Sequence, residues 1–379
     1  MIPAQIEESS GSGSRAWPTS TPNSKGIVMQ TIRGPGLLIA QLADDRAPFN
    51  TLPGIAKWAA DLGYRGLQLP SLDTRFIDVA QCAQSQAYAD EIVGTMSAVG
   101  LEVTELATAL EGQLVAVHPA YDRMFDAFAP LEVRGNPKAR QEWAVERLKL
   151  AAKASRRLGL KAAQCFTGSL AWPYVYPWPQ RPTGMVEEVF AEQARRWKPI
   201  LDAFDEAGVD IAFELHPGQD VFDGDTFEQF LSAVDNHPRC KINYDASHFI
   251  KQGLDYVEFI DVYHTHIKAF HVKDAEFRPT GRQGFYSGYR PWLKRAARDR
   301  SLGDGQVDFH QIFSKLTEYD FMGWAVYEWE DCLRRPEDAA AQGAPFIASH
   351  IISVTDKTFD DFASTGASIE EVREILGIK

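Results

Sequence analysis

The sequence predicts a single (β/α)8 barrel, and three observations carry that prediction. Short apolar runs alternate with helix-length stretches eight times beyond residue 35, the pattern of parallel strands joined by helices. The last four runs each close on a carboxylate or imidazole, and in a parallel barrel such strand ends meet at the carboxyl face, where ligands bind. No glycine-rich phosphate loop follows the first run, which argues against a doubly wound open sheet.

The elements follow in order. The first strand is read at 36–42 with a helix at 55–62, the second at 66–69 with a helix at 87–99. The third lies at 101–106 with a long helix at 139–158, the fourth at 161–166 with a helix at 186–207. The four strands with acidic or imidazole ends are 209–213, 241–244, 267–270 and 324–327. Helices at 227–234, 256–262 and 309–316 separate them, and a last helix spans 336–352. LGL (158–160), AGVD (207–210) and AVGLEV (98–103) place a glycine just before a strand, as a helix C-cap running into the next strand does.

Three connections are long, at 108–137, 167–185 and 274–308, after strands 3, 4 and 7. Long connections in a compact domain are functional or disordered, and these should wall the active face. The second carries Trp172, Tyr174, Tyr176 and Trp178, which read either as rings packed on one another or as a stacking wall for a sugar or aromatic group. Trp172 is the candidate substrate contact among them.

With 379 residues, 45% hydrophobic and 24% charged, the chain can bury a full core. A net charge of −13 is the wrong sign for phosphate contacts to nucleic acid. Cys82, Cys165, Cys240 and Cys332 are scattered without a CxxC pair, so no zinc knot or disulfide framework is implied. No apolar run approaches the ~20 residues that cross a bilayer. Residues 1–28 are rich in Ser, Gly, Pro and Thr and read as a disordered tail, with Met29 as an alternative start. The barrel is expected over 29–357 and a helical extension over 358–379. A cytoplasmic location is the expectation.

Residues two apart on a strand share a face, so Glu214 points inward with His216 on the same side. Asp245 ends the sixth strand with His248 in the turn beyond, His271 ends the seventh with Lys273 on its face, and Glu328 ends the eighth with Glu330 behind it. Converging buried carboxylates need a strong positive charge. Glu214, Asp245, His271 and Glu328 form a good shell for one divalent metal, Mn²⁺ first, with Mg²⁺, Co²⁺ or Zn²⁺ as alternatives. Glu105, at the end of strand 3, is read as a contact for a substrate hydroxyl. Lys273 and Asp274 are read as a pair orienting the turn after strand 7, and Gly303-Asp304-Gly305 as a tight turn.

FELHP (213–217), NYDASH (243–248), FHVKD (270–274), LGDGQVDF (302–309) and YEWE (327–330), in this order, resemble the xylose isomerase-like barrels, the sugar isomerase/epimerase group that also contains endonuclease IV. The resemblance covers residues 36–352. It implies metal-ligand roles for Glu214, Asp245, His271 and Glu328, and contact of His248 with substrate oxygens. It places an arginine near Arg278 for substrate. Strand 2 lacks the histidine of the three-metal nucleases, which sets DNA repair aside. His216 stands where xylose isomerase has a lysine, so proton handling differs.

The chemistry expected is isomerisation or epimerisation of a keto-sugar or sugar derivative through an enediolate, with Glu214 and Glu328 as acid/base groups on opposite faces. His248 and His216 would hold hydroxyls or protonate the oxyanion. The aromatic loops also resemble the barrel subunits of C-glycoside deglycosidases, which implies elimination of an aglycone from 3-oxo-glycosides and a small partner subunit. A non-catalytic sugar-binding subunit is the remaining alternative. Partners are therefore a small sugar or glycoside and other protein subunits in an oligomer, without nucleic acid or membrane.

Overall fold

Eight parallel strands hydrogen-bond in sequence order and close on themselves: β1 (Arg33–Leu38), β2 (Gly66–Pro70), β3 (Glu102–Ala107), β4 (Ala162–Cys165), β5 (Asp210–Glu214), β6 (Cys240–Tyr244), β7 (Ile267–Val272) and β8 (Trp324–Tyr327), with β8 pairing back onto β1. The computed structural model describes residues 29–30, 32–286, 288–355 and 367–378. The 1–28 tail lies outside them. Residues 30–354 form one compact unit. In the C-terminal segment, Ile369–Ile375 is a helix opened by a capping box between Ser368 and Glu371. No described helix is long and apolar enough to cross a membrane.

Alternation along the strands sets what the barrel encloses. Ala162, Ala212 and Ala269 form a small apolar layer inside it. Two residues further along the same strands stand Gln164, Glu214 and His271, all buried, so the polar layer lies directly above the alanine layer on the same inward face. Outward-facing residues lock the strands to the helices. Phe213, beside Glu214, meets Trp197 edge-on at 4.8 Å and Phe230 at 5.4 Å, which ties β5 to helices Met185–Ala207 and Gly224–Ala233.

Element boundaries shift from the sequence reading for local reasons. The apolar run at 36–42 is not one strand. β1 ends at Leu38, and Ala40–Leu42 winds into a 3₁₀ turn whose Leu42 is still buried, so hydrophobicity alone could not mark the change. The helix expected at 87–99 runs over Gln86–Ser97, and a short helix that was not expected, Val79–Gln84, precedes it; the two part at Ser85, which caps the second through Tyr88 N. Gly208 caps helix Met185–Ala207 with φ of 70° and bonds to Asp205 O and Phe204 O, a left-handed conformation that favours glycine.

The long connections are ordered differently from one another. The one after β3 contains helix Ala109–Val115 and several short turns, and the one after β7 contains an antiparallel ribbon, Asp274–Phe277 with Ala297–Arg300. The connection after β4 has a single 3₁₀ turn at Trp172–Tyr174. Asp220, beyond β5, holds its start by accepting from Ser169 Oγ (2.8 Å), Leu170 N (2.8 Å) and Ala171 N (2.9 Å). Rings then link neighbouring connections: His118 Nε2 lies 3.1 Å from Tyr174 Oη, and Tyr176 meets Tyr286 edge-on at 5.4 Å.

Candidate metal centre

Four strands deliver one ligand atom each to a single spot. Glu214 is the last residue of β5, Asp245 follows β6, His271 lies in β7 and Glu328 follows β8. Their ligand atoms all lie within 4.8 Å of one another, and all four residues are buried. His271 Nδ1 sits between Glu328 Oε2 at 2.9 Å and Glu214 Oε2 at 3.2 Å. Asp245 also caps helix Ala246–Gln252, accepting from Ser247 N at 2.8 Å, which fixes its carboxylate with Oδ2 turned to the cluster.

Lys273 completes the centre from the β7 side. Its Nζ lies 2.9 Å from Glu328 Oε2, 3.0 Å from Asp245 Oδ2, 3.0 Å from Glu330 Oε2 and 3.1 Å from His248 Nε2. His248 Nε2 is 2.8 Å from Glu214 Oε1. The His216 ring lies 4.0 Å from that of His248, centroid to centroid and tilted by 59°, and is half-buried.

Charge in this small volume is unbalanced. Three buried carboxylates face one ammonium and one imidazole, and buried negative charge is costly without a cation. Titration directions follow. Burial works against the protonated ring of His271, yet Glu328 and Glu214 hold its pKa well above the usual value. Lys273 is likewise desolvated but held well above the ordinary lysine range by Asp245, Glu328 and Glu330. Burial opposes ionisation of Glu328, but Lys273 and His271 bring it well below the carboxylate range. Burial pushes Asp245 up despite Lys273. His248 is driven well below the normal imidazole value by burial and by Lys273, and His216 is lowered by the same two causes.

The donor set of three carboxylates and one imidazole suits a divalent cation. His271 Nδ1 and Asp245 Oδ2 are buried without a well-aligned hydrogen bond, so both have capacity for a ligand bond. Among the described residues, Glu214, Asp245, His271 and Glu328 are the group that could hold a metal ion.

Other candidates fall elsewhere. Glu105 is buried below the cluster, bonded to Gln68 Nε2 at 3.3 Å, and lines a cavity of about 400 Å³ shared with Arg33, Glu102 and Trp324 near the strand starts. Arg278 is exposed and pairs with Glu276 at 2.8 Å on the ribbon. Trp172 packs edge-on against Phe222 at 5.5 Å and lines a separate cavity of about 250 Å³. Lys273 and Asp274 do not pair, because successive residues of an extended chain point apart. Asp274 instead accepts from Ala275 N (2.8 Å), Gly303 N (2.9 Å), Gly305 N (2.9 Å) and Val307 N (3.1 Å), so it shapes the return loop.

The sequence reading missed the amides that hold the residues of the cluster. Gln164 Nε2 and Asn243 Nδ2 both donate to Glu214 Oε2, at 2.8 and 3.0 Å. Gln41, on the 3₁₀ turn, donates to Glu328 Oε1 at 3.2 Å. Gln68 faces His271 Nε2 at 3.0 Å. A signal was present for two of the four: Gln68 and Gln164 are lone amides inside otherwise apolar strands, while Asn243 shares its strand with Lys241.

Residues 56–350 match the family model of the xylose isomerase-like TIM barrel. A stretch is 28% identical over 144 residues to an inosose dehydratase of Clostridium botulinum (strain Alaska E43 / Type E3), 37% of this chain and 47% of that protein; the chain spans about half the length of the curated relatives it matches. The fold is shared with 3-keto-D-glucoside 4-epimerase from E. coli in apo form, at a TM-score of 0.56 and 14% identity over 83% of this chain and 98% of that one. It is also shared with the IOLI protein with a binding zinc atom, at a TM-score of 0.54 and 15% identity over 85% and 99%. With the family model covering most of the barrel, the chain belongs to the xylose isomerase-like TIM barrel family.

Proposed function

We propose that this chain is a divalent-metal-dependent enzyme that removes the proton beside the carbonyl of a keto-sugar or a related polyhydroxylated ketone. The observation that carries the reading is the meeting of Glu214, Asp245, His271 and Glu328 within 4.8 Å at the carboxyl end of the barrel, with excess negative charge. These four residues would hold the cation, which supplies Lewis-acid stabilisation of developing oxyanion charge. Manganese is the first candidate, with magnesium, cobalt and zinc as alternatives, and the zinc seen in one structural neighbour is compatible with the donor set.

The side chains around the ligands then decide the outcome. His216 and His248 lie against each other on one flank and are kept neutral by burial and the Lys273 charge, so an imidazole there can accept the carbon-bound proton. The same ring, once protonated, can return the proton to a hydroxyl leaving from the neighbouring carbon. Proton acceptor and donor on one flank favour elimination, and the curated relatives are named dehydratases. The isomerase/epimerase reading stands second. It rests on Glu214 and Glu328 lying on either side of His271, which gives an acid/base group for each face of a substrate. In either case Lys273 holds Glu328 and Glu330 in place beside the reacting oxygens.

The test is incubation of the Mn²⁺-loaded protein with a panel of inososes, keto-sugars and 3-oxo-glycosides in D₂O. Elimination gives an unsaturated ketone with new ultraviolet absorbance; epimerisation gives deuterium at an inverted carbon without it. His216→Ala should slow turnover about 10²–10⁴-fold with metal content unchanged. Loaded protein that neither exchanges nor transforms any of these ketones would overturn the proposal.

A further inference from the structure

The buried Glu105 is left without a role by the reading above, although it is a carboxylate enclosed in the barrel interior. It does not belong to the ligand set, and it borders the cavity near the strand starts rather than the mouth. What it touches is Gln68, whose Nε2 donates to Glu105 Oε2 at 3.3 Å. Gln68 is fully buried in β2, and its other amide atom, Oε1, lies 3.0 Å from His271 Nε2.

The order of these atoms has a chemical consequence. A glutamine amide presents an oxygen at one end and hydrogens at the other, and nothing intrinsic decides which end faces a neighbour. The Glu105 carboxylate accepts only hydrogens, so it takes the Nε2 end and leaves Oε1 toward His271. An amide oxygen only accepts, so His271 Nε2 must carry a proton. The lone pair of the neutral ring is then confined to Nδ1, the nitrogen that lies between Glu214 and Glu328 and has no well-aligned hydrogen bond. We propose that Glu105 and Gln68 are positioning residues that fix the tautomer and ring plane of His271, so that Nδ1 is delivered to the metal centre as a ligand atom.

The inference rests on the metal-centre reading and extends it two residues inward. Histidine ligands usually donate their second nitrogen to an acceptor that sets tautomer and orientation. Here the acceptor is an amide, ambiguous by itself, and the carboxylate one strand further round removes the ambiguity. Glu105 thereby acts on the ligand without touching substrate or cation.

The experiment is calorimetric titration of stripped full-length protein with Mn²⁺ and with Zn²⁺, with thermal melts of each metal-free variant as a check on folding. Gln68→Leu should weaken metal binding about 10–100-fold. Glu105→Gln should weaken it as well, because an amide at 105 accepts and donates equally and no longer orients Gln68. The decisive variant is the exchange Gln68→Glu with Glu105→Gln. A carboxylate at 68 still accepts from His271 Nε2 and from the new amide, so affinity should return to within a few-fold of wild type. A merely structural role predicts that the exchanged protein binds no better than either single variant, and that result would overturn the proposal. So would wild-type affinity in Gln68→Leu; the metal-centre reading would then stand and this extension fail. Wild-type protein that binds neither ion would bring down both.

Discussion

At the residue scale, the centre is organised by groups that compete for one pool of charge. Glu328 accepts from Lys273 and Gln41 and lies 2.9 Å from His271 Nδ1, so Glu328→Gln keeps the side chain's shape while removing one negative charge. The expected result is a folded protein with weakened metal binding and turnover reduced at least about 10²-fold, read by steady-state kinetics beside circular dichroism. Lys273→Met should act oppositely on stability and metal dependence. Losing the ammonium that contacts Asp245 and Glu328 should cost about 3–5 kcal/mol in the metal-free protein. A bound divalent cation should restore much of that loss, so the Mn²⁺-induced rise in melting temperature should be larger in the variant than in wild type. Equal rises would show that Lys273 and the cation do not share the same carboxylates. The four residues that meet in the cluster were legible in the sequence because each closes an apolar run of strand length. Gln68, Gln164 and Asn243 were not singled out, because a lone amide in a strand carries no motif. Their function depends on which residue faces them across the barrel, and strand pairing is not written locally.

At the element scale, the β7-to-β8 connection is built on two buried carboxylates. Asp274 gathers four backbone N–H groups, and a Cβ on Gly305 would lie 2.0 Å from its Oδ1, so the LGDGQV stretch closes around this side chain. Asp274→Ala should cost about 1–3 kcal/mol for each donor left unpaired in the interior and speed hydrogen exchange at Gly303, Gly305 and Val307. Unchanged exchange there would contradict the role. On the ribbon, Glu276 binds Arg298 at 2.6 Å, Arg278 at 2.8 Å and Arg300 at 3.2 Å. Burial opposes its ionisation, but Arg298 and Arg300 hold it below the usual range. Its folded value is therefore below its unfolded one, so its contribution is present above about pH 4.3 and fades as pH falls through the folded value. Hydrogen exchange across 274–300 should rise on acidification in wild type and be less pH-dependent in Glu276→Gln. The sequence marked this connection as long but did not show the ribbon, since its pairing joins Asp274–Phe277 to Ala297–Arg300 across a long intervening stretch. The first strand was placed too late for a related reason: the apolar run continues into a buried 3₁₀ turn, and that turn delivers Gln41 to Glu328.

At the scale of the whole molecule, the barrel places an alanine layer beneath a polar layer that narrows to one cluster of three carboxylates and an imidazole. Eight repeats of strand and helix were enough to predict this closure, because period-two alternation fixes which side chains enter the interior once the strands are parallel. The aromatic connections were legible in length and composition, but not in pose. The central claim is that the cluster binds one divalent cation. Its most direct test is metal content by plasma mass spectrometry after stripping and Mn²⁺ reconstitution, comparing wild type with Glu214→Gln. The account predicts about one ion per chain in wild type and a clear loss in the variant. A folded wild-type protein that retains no ion would contradict it.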